Sequence, residues 1–163
     1  EEAPAGVEVE IYDGLAAIPP YDADADTSPG PDAVRELRER IARADGLIFA
    51  TPEYNSSIPG VLKNAIDWAS RPRATTPLAG KPTAVMGATT GHFGAVWAQA
   101  ELRKVLGSTG ARVLDSEVSL ALADEAWDDD GSLRDEQTAA AIRDLTSAVT
   151  REAARDAELA LAA

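Results

Sequence analysis

The chain has 163 residues, a hydrophobic fraction of 45%, a formal net charge of −13 at pH 7, one histidine and no cysteine. This length suits one domain, residues 1–163, and the shortage of cysteine and histidine excludes disulfides, thiolate metal sites and multi-histidine zinc sites. There is no basic stripe and no apolar run near ~20 residues, so we expect neither a nucleic-acid nor a membrane partner. No signal peptide is visible, and a cytoplasmic protein is the default expectation.

The first part of the chain predicts one strand and one helix. Val7, Val9 and Ile11 alternate with polar residues, which is typical of an edge strand with one face in water. A long loop rich in proline and aspartate follows. The apolar spacing then predicts an amphipathic helix over Asp32–Ala44.

A buried strand, a polar loop and a second helix come next. The continuous apolar run in Leu47–Thr51 is typical of a parallel strand that is covered on both faces. After the loop, a helix is predicted over Val61–Ser70, with Ser56 or Ser57 as its cap. The apolar face expected for this helix comprises Val61, Leu62, Ala65, Ile66 and Ala69.

The rest of the chain repeats the alternation. A buried strand is predicted over Thr83–Ala88, followed by a helix that ends at Gly107–Gly110 and faces inward with Ala98, Leu102, Val105 and Leu106. A strand over Arg112–Leu120 comes next, with a break expected near Asp115. A long helix then begins at about Asp135, and its inward residues are Ile142, Leu145 and Val149. Alternating strands and helices predict a doubly wound α/β domain, with a parallel sheet between two layers of helices.

Two polar loops follow strands in this scheme, after Thr51 and after Ala88. Open α/β sheets bind ligands at the carboxyl ends of their strands. One such loop alone is better interpreted as a connection that caps a helix. Two consecutive loops favour a binding site at this edge of the sheet.

The segment Thr51–Pro72 closely resembles the signature of the NADPH-dependent FMN reductases, a family that includes flavodoxin-like quinone, chromate and azo-dye reductases. Leu78–Pro82 and Gly91–Gly94, followed by Gln99 and Leu102-Arg103, resemble the next blocks of the same family. The resemblance spans the whole chain. It implies a flavodoxin-like fold of three layers.

The resemblance also implies a site and its chemistry. The residues expected to contact the flavin ring are Pro52, Glu53, Tyr54, Asn55, Ser57 and Ile58 from the first loop, and Ala88, Thr89, Thr90, Gly91, His92, Phe93 and Gly94 from the second. The implied cofactors are FMN and NADPH or NADH, with no metal and no catalytic side chain, because the flavin performs the chemistry. Hydride would pass through flavin N5, in ping-pong order, to a quinone, flavin or similar small acceptor.

Relatives complete the flavin pocket across a dimer interface, so the resemblance implies a homodimer or homotetramer. Trp68 and Trp97 are candidates for that surface, and each is equally plausible as core. Trp97 stands where the family usually has an arginine. Lys63, Arg71 and Arg73 are candidates for attracting nicotinamide phosphates, with a surface role at least as plausible.

The family opens with a strand, a phosphate-binding loop and a helix that this chain lacks. In a flavodoxin-like sheet the missing strand would lie between Val7–Tyr12 and Leu47–Thr51, and its loss would leave backbone groups unpaired on both. Three explanations are open: a segment upstream of Glu1 in the whole protein, which we favour, a strand from a partner chain, or a degenerate domain without flavin.

Other functions remain open at this point. A flavin-binding or interaction module without turnover is the main alternative. A phospho-receiver domain fits poorly, because Thr51-Pro52 stands where an aspartate is needed. A serine hydrolase is also a poor fit, since Ser56 and Ser57 lie outside a G-x-S-x-G turn.

Overall fold

A computed structural model describes residues 3–162 and contains three strands and four α-helices within that range. The strands are β1 (Leu47–Thr51), β2 (Pro82–Ala88) and β3 (Arg112–Leu120); the helices are α1 (Asp32–Arg43), α2 (Gly60–Ala69), α3 (Val96–Ser108) and α4 (Glu136–Leu161). Short 3₁₀ turns span Gly14–Ala17 and Arg73–Thr75. The strands form one parallel sheet in the order β1-β2-β3. The predicted α/β fold is confirmed.

The sheet separates two apolar clusters, as a doubly wound fold requires. Phe49 and Val85 belong to the cluster that also contains the buried side chains of α1, α2 and α3. Ile48 and Ala84, one residue earlier on each strand, pack instead with the buried side chains of α4. Successive strand residues point to opposite faces, so this alternation places α4 alone on one side and the other helices on the opposite side.

Helix α4 begins at a side-chain cap. The carboxylate of Asp135 accepts hydrogen bonds from the backbone N–H groups of Gln137 and Thr138 and from the Thr138 hydroxyl. These bonds, above all that from the hydroxyl, lower the pKa of Asp135 from its ordinary value of 3.8. A lowered pKa means that the cap stabilises α4 at neutral pH and is lost as the pH falls through the lowered value.

Trp68 is the largest fully buried side chain, and it belongs to the core rather than to an outer surface. Its indole N–H donates to the carbonyl of Pro19 at 2.8 Å, and its ring lies edge-on to Tyr21 at a centroid distance of 4.9 Å. The carbonyl of Trp68 accepts from the Arg38 guanidinium, which is also paired with Asp26 at 2.8 Å. Trp68 therefore attaches the proline-rich loop, residues 13–31, to α2.

The strand predicted over Val7–Tyr12 is wrong. The segment forms no ladder with any described part of the chain, and Val9 and Ile11 are 58% and 84% exposed. Its contacts are to α1, where Glu10 pairs with Arg40 and the Arg40 guanidinium lies over the Tyr12 ring. The alternating pattern indicates which side chains share a face, but a strand also needs a neighbour's backbone groups.

The predictions for the start of α2 are also wrong. Pro59 is the N-cap residue, and neither Ser56 nor Ser57 caps this helix. A proline is suitable there because its fixed φ fits the start of a helix. Val61, predicted to face inward, is 55% exposed, and the buried side chains of α2 begin at the next residue, Leu62.

Strand β3 is continuous, but its pairing with β2 is irregular near Asp115, where the sequence predicted a break. Thr83 pairs with Val113, but Val85, two residues on, pairs with Glu117, so β3 contains two extra residues in this interval. The Arg103 guanidinium of α3 donates to the carbonyls of residues 114, 115 and 116, at 2.5, 3.5 and 2.6 Å. At this irregularity the arginine therefore supplies donors to three successive backbone carbonyls.

Arg103→Met is therefore expected to lower the free energy of unfolding by about 1–2 kcal/mol, because hydrogen bonds from a charged donor are lost while the aliphatic packing is kept. Chemical denaturation measures the change. Arg35→Met is the matched control: Arg35 forms only exposed pairs on α1, with Asp32 and Glu39, and should cost about 0.5 kcal/mol or less. Equal losses in the two variants would contradict the role assigned to Arg103.

Candidate functional site

Two loops meet at the carboxyl edge of the sheet. The first loop, residues 52–59, follows β1, and the second loop, residues 89–95, follows β2. Because β1 and β2 are adjacent parallel strands, the loops emerge side by side. Every residue predicted from the sequence as a flavin contact lies in these loops or, for Ala88, at the end of β2.

A tight turn forms the tip of the first loop. Tyr54 and Ser57 exchange two backbone hydrogen bonds, at 3.0 and 3.1 Å. The two residues between them, Asn55 and Ser56, have φ values of 53° and 60°, which is the pattern of a type I′ turn. Tyr54 is 62% exposed, whereas Ile58 is buried. The turn therefore presents Tyr54 outward and is anchored in the core through Ile58.

The carboxylate of Glu53 is bound to α3. It accepts hydrogen bonds from the backbone N–H groups of Trp97 and Ala98, at 3.0 and 3.1 Å. Ala95, the N-cap residue of α3, has no side chain able to cap the helix and has a φ of 61°. Glu53 thus caps, from the first loop, the helix that follows the second loop.

The second loop is supported by the chain that follows β3. Thr89 donates to the carbonyl of Leu120 and accepts from Ala123, and the carbonyl of Gly91 accepts from Leu122, at distances of 3.0–3.1 Å. Gly94 has a φ of +56°, and a Cβ there would lie 2.8 Å from the Cβ of Ser119 and 2.9 Å from its carbonyl carbon. Only glycine allows the loop to approach β3 so closely.

Gln99 holds the end of the second loop. Its side chain is 2% exposed, and its amide nitrogen donates to the carbonyl of Gly94 at 3.0 Å and to the Ser119 hydroxyl at 2.8 Å. The amide oxygen has no partner within residues 3–162. The sequence singled out Gln99 only by resemblance. The independent signal was a glutamine between Ala98 and Leu102 on the buried face of a helix.

Both loops carry backbone donors that the described part of the protein does not use. The backbone N–H groups of Asn55, Ser56, Thr90, His92 and Phe93 donate to no protein group in the described range. A flavin presents carbonyl oxygens and a ring nitrogen that require such donors. Neither loop contains lysine or arginine, so the loops could hold a ring edge but have no cation to clamp a phosphate.

Exposed aromatic side chains border the second loop. Phe93 and Trp97 are 63% and 48% exposed and lie edge-to-face, with their ring centroids 5.0 Å apart. Trp97 is therefore not a core residue, which was one of the two alternatives left open by the sequence. The other alternative, a subunit surface, stays a prediction. The Phe93 and Trp97 rings form an apolar rim beside the second loop, and Tyr54 is exposed on the first loop.

The cations proposed as attractors of nicotinamide phosphates are not in this rim. Lys63 is paired with Asp67 at 2.6 Å. Arg71 and Arg73 follow the end of α2 and border a groove of about 170 Å³ beside Ser108 at the end of α3. Both helices end at the amino edge of the sheet, opposite the loops, so the position of the two arginines disfavours that role.

The parallel sheet and the paired loops at its carboxyl edge define a flavodoxin-like α/β protein. The chain belongs to the family of NADPH-dependent FMN reductases, whose sequence pattern matches residues 1–125. This is a family of oxidoreductase enzymes with FMN and NAD(P)H as cofactors. The family membership, the oxidoreductase class and the cofactors implied by the resemblance are thereby confirmed.

Individual relatives support the same conclusion. An NAD(P)H-dependent FMN reductase of Pseudomonas aeruginosa is 46% identical over 135 residues, which are 82% of this chain and 72% of that protein. A quinone reductase of Escherichia coli K12 is 46% identical over 114 residues, and the match spans 69% of this chain but only 60% of the relative. The solved structure of FerB from Paracoccus denitrificans, a flavoenzyme NAD(P)H:(acceptor) oxidoreductase, has a TM-score of 0.77 and 37% identity, covering 86% of this chain and 78% of FerB.

Residues 3–162 contain neither a membrane-spanning helix nor a cluster of metal ligands. None of the helices in that range is both long and apolar enough to cross a membrane. Within the same range, no group of three or more histidine, cysteine, aspartate or glutamate side chains is arranged to hold a metal ion.

Proposed function

We propose that this protein is an FMN-dependent NAD(P)H oxidoreductase that passes hydride through flavin N5 to a quinone, a flavin or a similar small acceptor. The observation that supports this most strongly is the pair of adjacent loops with free backbone N–H groups at the carboxyl edge of the sheet, in a chain of the FMN reductase family. Bound FMN would supply the two-electron chemistry.

The residues of this chain bind the flavin ring and orient it. The proposed ring contacts are Pro52, Glu53, Tyr54, Asn55, Ser57 and Ile58 with Ala88, Thr89, Thr90, Gly91, His92, Phe93 and Gly94. Tyr54 packs against the ring, and the backbone N–H groups of both loops satisfy its oxygen and nitrogen acceptors. No side chain is needed as a nucleophile or as a strong base.

We further propose a homodimer or homotetramer. Tyr54, Phe93 and Trp97 expose aromatic surface beside the loops, and aromatic side chains are enriched at subunit interfaces. A second copy would exclude water from the open side of the flavin site. The acceptor, the choice between NADH and NADPH and the cytoplasmic location stay predictions.

The test is an absorbance spectrum of the purified protein with and without added FMN, followed by NAD(P)H oxidation with a quinone as acceptor. We expect a bound flavin spectrum and acceptor-dependent oxidation. Bound FMN without NAD(P)H oxidation would favour an electron carrier. Failure of the whole protein to bind FMN would defeat the enzyme proposal and leave an interaction module.

A further inference from the structure

The first loop is fastened to α3 on both sides of its turn. Glu53, just before the turn, binds the N–H groups of Trp97 and Ala98. Ser57, the last residue of the turn, donates its hydroxyl to the carboxylate of Glu101 at 2.5 Å. Trp97 and Glu101 lie one turn apart on the same helix face, so the two anchors run side by side.

The same helix turns hold the second loop from inside the fold. Gly94 and Ala95 lead directly into α3, and the buried amide of Gln99 binds the carbonyl of Gly94. Residues 97–101 of α3 are therefore in contact with both loops at once. The spacing between the loops depends on how firmly the first loop is attached to this helix.

We propose that Glu53 is a positioning residue: its carboxylate, bound at the start of α3, sets the separation of the two loops that receive the flavin ring. The anchored carboxylate acts through α3, so the ring contact proposed for Glu53 is left to its backbone, and the neighbouring turn supplies the side-chain contacts. This inference rests on the proposed function, because it takes the two loops as the walls of the flavin site.

The competing interpretation is a cap that only stabilises α3. Asp135 provides the matched comparison, because it caps α4 in the same way, through two backbone N–H groups, and lies outside both loops. The variants Glu53→Ala and Asp135→Ala each remove a carboxylate that caps a helix. Only Glu53→Ala also releases a loop of the site.

The first measurement is the affinity of the purified protein for FMN, monitored through the quenching of flavin fluorescence. Glu53→Ala is expected to weaken binding about fivefold or more, as the loss of a cap that couples two segments predicts. Asp135→Ala should lower the melting temperature and leave the affinity within about twofold, because distant sites act independently. Glu53→Gln keeps an acceptor oxygen and should restore most of the affinity lost in Glu53→Ala.

The second measurement is hydrogen exchange without FMN. In Glu53→Ala the amides of Trp97 and Ala98 and the paired amides of Tyr54 and Ser57 should all exchange faster. If Glu53→Ala is too unstable to purify, Glu101→Ala removes the second anchor from the α3 side, and we expect faster exchange at Tyr54 and Ser57 and weaker FMN binding.

Three outcomes would overturn the proposal. The FMN affinity could change no more in Glu53→Ala than in Asp135→Ala, or the faster amide exchange in Glu53→Ala could be confined to α3. The third is an unchanged exchange rate at the amides of Tyr54 and Ser57 in Glu101→Ala. If the unsubstituted protein binds no FMN, the proposed function fails, and the exchange of the first-loop amides alone decides whether Glu53 fixes that loop.

Discussion

Trp68→Ala is expected to lower the free energy of unfolding by about 3–5 kcal/mol, the largest change among the variants considered. The side chain is fully buried, and its removal leaves a cavity between α2 and the proline-rich loop. It also removes the indole donor to Pro19 and the edge-on contact with Tyr21. Urea denaturation, extrapolated to zero denaturant, measures the loss.

Two variants make this expectation specific. Trp68→Phe keeps most of the packing but not the N–H, and Asn64 still donates to Pro19, so a smaller loss is expected. Trp127→Ala removes a tryptophan that is 47% exposed and should change the free energy of unfolding by about 0.5 kcal/mol or less. Similar losses at Trp68 and Trp127 would show that Trp68 does not hold the loop.

Gly94→Ala is expected to destabilise the fold by about 2–4 kcal/mol, because a positive φ and a backbone clash add together. The new Cβ would lie within 3 Å of two atoms of Ser119, one of them in the backbone. The second loop can relieve this contact only by moving away from β3. We therefore expect FMN binding to weaken together with stability.

Gly131→Ala separates the cost of the positive φ from the cost of the clash. Gly131 has a φ of +83°, and a Cβ there would meet nothing within 4 Å, so only the conformational cost of about 1 kcal/mol applies. Denaturation of both variants and titration of each with FMN provide the comparison. A Gly94→Ala variant that matched Gly131→Ala in stability and FMN affinity would contradict the close approach of the second loop to Ser119.

Features that depend on local patterns could be predicted from the sequence. The spacing of Val34, Leu37 and Ile41 marked the buried face of α1, and the apolar runs marked β1 and β2 within a residue of their ends. The irregularity near Asp115 was visible because Asp115 and Ser116 interrupt the apolar positions of the strand. These elements follow from the residues within a few positions of one another.

Features that depend on distant partners could not be predicted in this way. Val7–Tyr12 has a strand pattern and yet no strand, because its pairing depends on backbone groups elsewhere. Glu53 was expected to line the ring, but nothing around it in the sequence indicates that α3 lacks a cap of its own. Gln99 likewise became a site residue only when Gly94 and Ser119 were seen beside it.

The attachment of Glu53 to α3 also bears on the order in which the protein folds. The carboxylate and its partners are 44 and 45 positions apart in the sequence, so closing this contact requires β2 and α3 to be in place already. We therefore expect this contact to form after the main folding barrier. Breaking this one should speed unfolding and leave the folding rate almost unchanged. On this basis, the binding edge of the sheet is expected to assemble late and to open early.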